Sequence, residues 1–367
     1  MNILINSGRI PPFLTTRKLL IESFLKKGHN VYLTGYQNGY EDEVERMGAK
    51  LILVPFSRAG FNPLSDIFLI YRYFKIITRN NIDIVHSYTI KPNIYGSIAA
   101  KIAGIDSVFP TLNGVGYAFS GNGVRASITK FIASRLYKLA FLCSKKVFFH
   151  NSDDINLMVS LGLINIEKSV LTLGSGIDME YYKEKKFPEL ISFLLVSRLL
   201  RSKGVLEYIQ AAKNVKKKYS KIEFHLVGPD DPNPTGIKLD EIKPFIDDNI
   251  IIYHGQQNDV RPFIEKSAVL VLPSYREGVP HTILEAMSIG RAILTTDVPG
   301  CRETVVNSRN GFLVPLQNTE ELTKKMEWMI ENFHAVSDMG KQSVILAKER
   351  FNVHKVNSII NSTIGLA

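Results

Sequence analysis

The sequence predicts an α/β protein built as two doubly wound domains facing each other across a cleft. Three observations predict it. Short β-branched runs alternate with longer amphipathic ones, the rhythm breaks once near residues 174–186, and it then restarts. The 367 residues also suit two domains of roughly 100–200 residues each.

The first set of runs is Asn2–Asn6, Val31–Thr34, Leu51–Val54, Ile82–His86, Ser107–Thr111, Val147–His150 and Val170–Leu173. Each is short and apolar enough to be a strand buried on both faces. Helical stretches such as Thr15–Lys27 and Pro63–Asn80 lie between them. Strand–helix alternation of this kind gives right-handed βαβ units and a parallel sheet. The stretch "GSGIDMEYYKEKKFPEL" is rich in turn formers and charge and reads as an interdomain linker. A second set follows: Ser192–Ser197, Ile222–Val227, Ile250–His254, Val269–Leu272, Ala292–Thr295 and Phe312–Val314. The tail from Leu322 is mostly helical. The expected domains are 1–175 and 176–345, with a C-terminal helix at 346–367 packing back towards the first. Ligands in such sheets bind at the carboxyl ends of the strands.

Composition narrows the function classes. Hydrophobic residues are 45% and charged residues 22%, as in ordinary soluble proteins. Cys143 and Cys301 are the two cysteines, far apart and outside any CxxC or Cys/His cluster. No disulfide framework or zinc site is expected, and a reducing cytoplasm fits. The start, "MNILINSGRIPP", reads as a buried strand rather than a secretory signal. No run approaches the roughly 18 apolar residues of a membrane span.

Net charge is +10, and between Gly60 and His150 eleven Lys/Arg face three acids. A basic face attracts anionic membranes or nucleic acid. No zinc-finger, RRM or helix-turn-helix pattern supports nucleic acid. The segment Phe131–Cys143 is apolar on one side and basic on the other. It reads either as a helix lying on a bilayer or as one packed on its sheet.

Chemistry concentrates in "LPSYREGVPHTILEAMSIGRAILTTDVPGCRETV", Leu272 to Val305. A strand ends at Pro273, a loop follows, and a helix is expected from about Pro280, since proline suits a first helical turn. The amides of His281, Thr282 and Ile283 would then form an anion site fit for a diphosphate. Glu277 precedes this helix and Glu285 lies along it. A second stretch, "VSRLLRSKGV", follows the first strand of the second domain. Its Arg198 and Lys203 can meet phosphate oxygens, arginine as a fork and lysine as a point charge.

These stretches, with "GSGID", resemble glycosyltransferase family 4 enzymes of the GT-B fold. The resemblance covers nearly the whole chain and is strongest from Leu171 to Val314. It implies two Rossmann-like domains and a retaining sugar transfer without a metal or other cofactor, a UDP-sugar being the donor substrate. It also implies that Glu277 contacts the donor sugar, Glu285 the ribose, and Arg198 and Lys203 the diphosphate. Gly278, Val279, Pro280, His281 and Thr282 would complete the donor site. No DxD stands at a strand end. Two cations and a helix start can stabilise the leaving diphosphate in place of a metal.

The first half resembles the branch that extends undecaprenyl-diphosphate-linked sugars, which includes N-acetylgalactosaminyltransferases and O-antigen and capsule transferases. In "IVHSYTIKPNIYGSIAAKIAGI" His86 is expected at a strand end, as a catalytic-site residue touching donor or acceptor or as a structural histidine. Lys91 follows in the loop, placed to meet the lipid diphosphate. The glycine-rich loop "TLNGVGYAFSGNG" adds Asn113 and Gly114 to the acceptor side. Many relatives have a glycine-rich loop after the first strand. Here that position reads "SGRIPPF", where Gly8 alone allows close backbone approach.

The expected activity is transfer of an N-acetylhexosamine or hexose to a polyprenyl-diphosphate-linked saccharide in bacterial surface polysaccharide (O-antigen or capsule) synthesis. The expected place is the cytoplasmic face of the inner membrane, in peripheral contact with its anionic lipids. Two rivals share the fold: a UDP-sugar epimerase, and a non-catalytic nucleotide-sugar-binding partner subunit. A nicotinamide dehydrogenase is set aside because no GxGxxG follows the first strand.

Overall fold

The computed structural model describes residues 1–57, 62–115, 119, 123–233 and 235–366, without the side chains of 124–126. The chain forms two compact units: Met1–Ser175 with His354–Ala367, and Gly176–Val353.

Among the described residues, the first unit holds one parallel sheet of seven strands: β1 (Asn2–Asn6), β2 (Asn30–Gly35), β3 (Lys50–Leu53), β4 (Ile84–Tyr88), β5 (Val108–Leu112), β6 (Val147–Phe149) and β7 (Ser169–Leu171). Their order is β3-β2-β1-β4-β5-β6-β7. The two-residue period of a strand explains why β1 is apolar throughout. Ile3 and Ile5 enter one hydrophobic cluster, with Leu33, Phe24 and Phe109. Leu4 enters the cluster on the other side, with Val85, Tyr73 and Ile94.

Helix Pro63–Arg79 starts where Asn62 accepts a 3.2 Å hydrogen bond from the Ser65 amide, with proline at its first position. The helix expected from Thr15 spans Lys18–Lys26, because Pro11–Leu14 forms a separate short turn. The helix Val353–Ile364 returns the chain to this unit. Its Val356, Ile360 and Ile364, spaced by four, lie in the cluster that holds Leu20, Ile21 and Phe24.

Among the described residues, the second unit holds six parallel strands: β8 (Ser192–Val196), β9 (Glu223–Val227), β10 (Ile252–Tyr253), β11 (Val269–Leu272), β12 (Ala292–Thr296) and β13 (Gly311–Val314). Their order is β10-β9-β8-β11-β12-β13. Phe193 and Phe224 stack at 5.2 Å in its core, joined by Leu195, Leu226 and Leu294. Every strand run read from the sequence overlaps an observed strand. Both sheets are doubly wound, and in each the winding reverses between two central neighbours, β1 with β4 and β8 with β11. The loops leaving those pairs are where such sheets bind ligands.

Candidate active site

In the second unit, the loops after β8 and β11 are fastened together. Gly204 takes φ +71°, and a Cβ there would stand 2.1 Å from the Pro273 carbonyl oxygen. Only glycine permits that approach. The Tyr275 amide donates to the Ser202 carbonyl at 2.9 Å. This contact sets Lys203 against Glu277. The Lys203 ammonium pairs with Glu277 Oε1, and the Ser274 hydroxyl donates to the same oxygen at 2.7 Å. From the far side, the Glu277 amide donates to Pro299 O at 3.1 Å. Gly300 (φ +81°) lies so close that a Cβ would come within 2.3 Å of the Gly278 carbonyl. Glu277 is therefore fixed through both its side chain and its backbone.

Arg198 leaves the end of β8 and pairs through Nη1 with Asp231 Oδ2 at 2.5 Å. Its side chain stays half exposed. Gly278 and Val279 are half-buried in the β11 loop.

The helix after this loop is His281–Ile289. Pro280 is its N-cap in extended conformation, not its first helical residue. The Ile283 amide turns inward to Pro280 O at 3.1 Å. The amides of His281 and Thr282 are left at the first turn, where the helix supplies no acceptor. Glu285 is 7% exposed. Its Oε1 accepts from the Tyr182 hydroxyl at 2.8 Å and meets His281 Nδ1 at 2.9 Å. Its Oε2 is buried with no partner among the described residues. A buried oxygen left so is costly unless a ligand hydroxyl fills it. Burial and the Glu285 charge together hold the Tyr182 phenol well above its usual pKa, so it donates.

Sequence reasoning missed Ser274, Asp231 and Tyr182. Ser274 lay inside the motif already quoted. Tyr182 lies in the stretch taken as linker, and nothing local marks it.

In the first unit, the Gly8 amide donates to Thr89 Oγ1 at 3.1 Å, joining the loops after β1 and β4. A Cβ on Gly8 would press on that same oxygen at 3.1 Å. Lys91 is buried, and its ammonium donates to Asp66 Oδ1 at 2.8 Å. The other carboxylate oxygen accepts from Tyr95 OH at 2.8 Å and from the Asn62 amide at 3.2 Å. Asn113 is half-buried, and its Oδ1 has no partner among the described residues. Gly114 takes φ +128°. Residues 116–118 and 120–122 of the glycine-rich loop lie outside the described residues.

The strand-end position expected for His86 is corrected. β4 runs on to Tyr88, so His86 lies inside the strand, paired with Phe109 and Ile5 and 0% exposed. Its Nε2 meets Thr111 Oγ1 at 2.8 Å, and its ring lies 4.6 Å from that of Tyr88 and 5.4 Å from that of Phe148. Burial, and then the charge of Arg17, press its pKa down to about 3. It is a neutral core imidazole with no surface open to a ligand.

Among the described residues no group of three or more His, Cys, Asp or Glu is arranged to hold a metal ion. No helix there is long and apolar enough to cross a membrane.

Comparison with known proteins bears on the same residues. The model for "Glycosyl transferases group 1" matches residues 191–332, and that for "Glycosyl transferase 4-like" matches 12–151. The chain is 30% identical over 329 residues to the N,N'-diacetylbacillosaminyl-diphospho-undecaprenol alpha-1,3-N-acetylgalactosaminyltransferase of Campylobacter jejuni, covering 86% of each chain. It is 26% identical over 291 residues to the UDP-Gal:alpha-D-GlcNAc-diphosphoundecaprenol alpha-1,3-galactosyltransferase of Escherichia coli, covering 74% of this chain and 72% of that one. Anabaena HepE, solved in complex with UDP, shares the fold over the full length of both chains, with a TM-score of 0.78 at 18% identity. The two matched models and the Campylobacter relative place this chain in glycosyltransferase family 4, with the GT-B fold.

Proposed function

We propose that this chain is a retaining, metal-independent transferase that moves an N-acetylhexosamine or hexose from a UDP-sugar to a polyprenyl-diphosphate-linked saccharide in O-antigen or capsule synthesis. The observation that carries the reading is the Lys203–Glu277 pair, held between the fastened loops at the end of β11 and followed by the start of helix His281–Ile289. A fixed carboxylate suits sugar hydroxyls. A fixed ammonium and two first-turn amides suit a diphosphate.

In this mechanism the acceptor hydroxyl attacks the anomeric carbon on the face that the diphosphate leaves. The bond from that carbon to the phosphate oxygen breaks, and the hydroxyl proton passes to the departing phosphate. Charge grows on UDP as the sugar becomes oxocarbenium-like. Lys203, Arg198 and the amides of His281 and Thr282 stabilise that charge without reorganising, which is the economical form of electrostatic catalysis. Glu277 orients Lys203 and the sugar. The buried, unpartnered Oε2 of Glu285 is the acceptor assigned to a ribose hydroxyl.

The names of the two relatives give undecaprenyl-diphosphate-linked acceptors and alpha-linked products. An alpha product is what retention at an α-linked nucleotide sugar yields. The basic balance of residues 60–150 supports work at the cytoplasmic face of the inner membrane. The test is transfer in EDTA from UDP-N-acetylgalactosamine or UDP-galactose, with the new linkage read by NMR. An α linkage formed in EDTA is expected. A β linkage, or transfer abolished by EDTA, contradicts the mechanism.

A further inference from the structure

The carboxyl ends of β4 to β7 border a small cavity in the first unit, none of whose residues enters the donor or acceptor sites above. Its volume is about 10 Å³, room for roughly one water-sized group. Tyr88, Thr111 and His150 line it from the strand ends. Arg17, at the start of helix Lys18–Lys26, and Asn357, on the returning helix Val353–Ile364, line it from the other side.

Arg17 is 6% exposed, and its guanidinium stands 3.9 Å from the centroid of the Tyr88 ring. The ring covers one face and supplies part of a counter-charge. The N–H groups lie in the guanidinium plane and still need acceptors. Nε is buried with no partner among the described residues. Among those residues no carboxylate pairs with Arg17, and no acid stands in the cavity wall. Tyr88 does not supply the missing charge, because burial holds its phenol above its usual pKa. An arginine does not escape by giving up its proton, and a buried charge left unpaired is costly.

The rest of the wall has donors to spare. The side chains of His150, Ser175 and Asn357 make no hydrogen bond among the described residues. They bring a ring N–H, a hydroxyl and an amide NH₂. A water molecule would accept from some of these groups and leave the charge of Arg17 unmatched. A phosphate, with four oxygens on one centre, exceeds the space. An anion of a single atom meets both the charge and the size.

We propose that this cavity binds one halide ion, chloride in the cell, held by Arg17 and by the donors of His150, Ser175 and Asn357. The ion neutralises the guanidinium. Through Asn357 it also ties the returning helix to the strand ends and to helix Lys18–Lys26, so the stability of the first unit depends on chloride. The site is independent of the donor and acceptor chemistry proposed above.

The test is thermal unfolding of the full chain in sodium chloride, bromide, gluconate and phosphate at one pH and one ionic strength. Saturating chloride or bromide should raise the midpoint by roughly 5 °C over gluconate, and phosphate should not. Arg17→Met keeps much of the side-chain volume without the charge, and its midpoint should be the same in all four salts. Asn357→Asp places a fixed carboxylate in the cavity wall, and it should lose the halide response while staying as stable in gluconate as the unaltered chain is in chloride. If Arg17→Met does not fold, Asn357→Asp decides by itself. Equal midpoints of the unaltered chain in chloride and gluconate overturn the proposal. So does a phosphate response as large as that to chloride, or a halide response that survives in either folded variant.

Discussion

Tyr182 donates a 2.8 Å hydrogen bond to Glu285, a residue 103 positions further along the chain. The same oxygen meets His281, so two side chains orient one carboxylate, and its other oxygen is buried with no partner among the described residues. Tyr182→Phe removes one hydrogen bond to a charged carboxylate, and of its roughly 1.5–3 kcal/mol about 1 kcal/mol is expected to reach UDP binding. UDP should then bind roughly fivefold more weakly by calorimetry. Glu285→Gln should weaken it further. Unchanged UDP affinity in both variants would remove Glu285 from the nucleotide site.

Lys203 and Glu277 form the second pair, and they predict a different signature. In the proposed mechanism Lys203→Ala takes away a cation facing the charge that grows as UDP leaves. Its effect should fall on kcat, by about 10²–10³-fold, the scale for a lost electrostatic donor. Lys203→Arg should recover part of that loss. Glu277→Ala should lower turnover more than UDP affinity. Steady-state kinetics with UDP binding measured beside them separate these outcomes. A change confined to KM would mean that the pair only binds.

Two core histidines set an acid limit on the first unit. Burial, then the charge of Arg17, bring both His86 and His150 down to about 3. Unfolded, each would titrate near 6.5. Between those values the unfolded chain binds protons that the folded chain refuses, so stability falls as pH drops from about 6.5 towards 3. The slope is at most ~1.4 kcal/mol per pH unit for each histidine. Urea midpoints between pH 7.5 and 4.5 should decline, and more shallowly in His86→Gln and His150→Gln. A slope unchanged in both variants contradicts this.

The strands were legible because a parallel strand buried on both faces must be apolar along its length, and β1, with Ile3, Leu4 and Ile5 divided between two cores, shows why. Lys203 and Glu277 were legible as neighbours because their motifs follow the adjacent central strands β8 and β11. What failed to show was pairing at a distance. Asp66 lies 25 residues before Lys91, and Tyr182 lies 103 before Glu285, so no local pattern joins them. Pro280 was read as a first helical residue because its fixed φ serves an N-cap equally well. His86 was placed at a strand end because the polar Ser87 breaks the apolar run. The ladder of Ser87 and Tyr88 with Pro110 and Thr111 carries β4 two residues further.

The central claim is that sugar leaves UDP for a lipid-linked acceptor. It is tested most directly by measuring UDP released from UDP-sugars in EDTA, with and without polyprenyl-diphosphate-linked saccharides. Release from one donor that depends on the lipid acceptor is the predicted result. Conversion of a free UDP-sugar into its epimer with no acceptor present, and no transfer to any lipid, would contradict it.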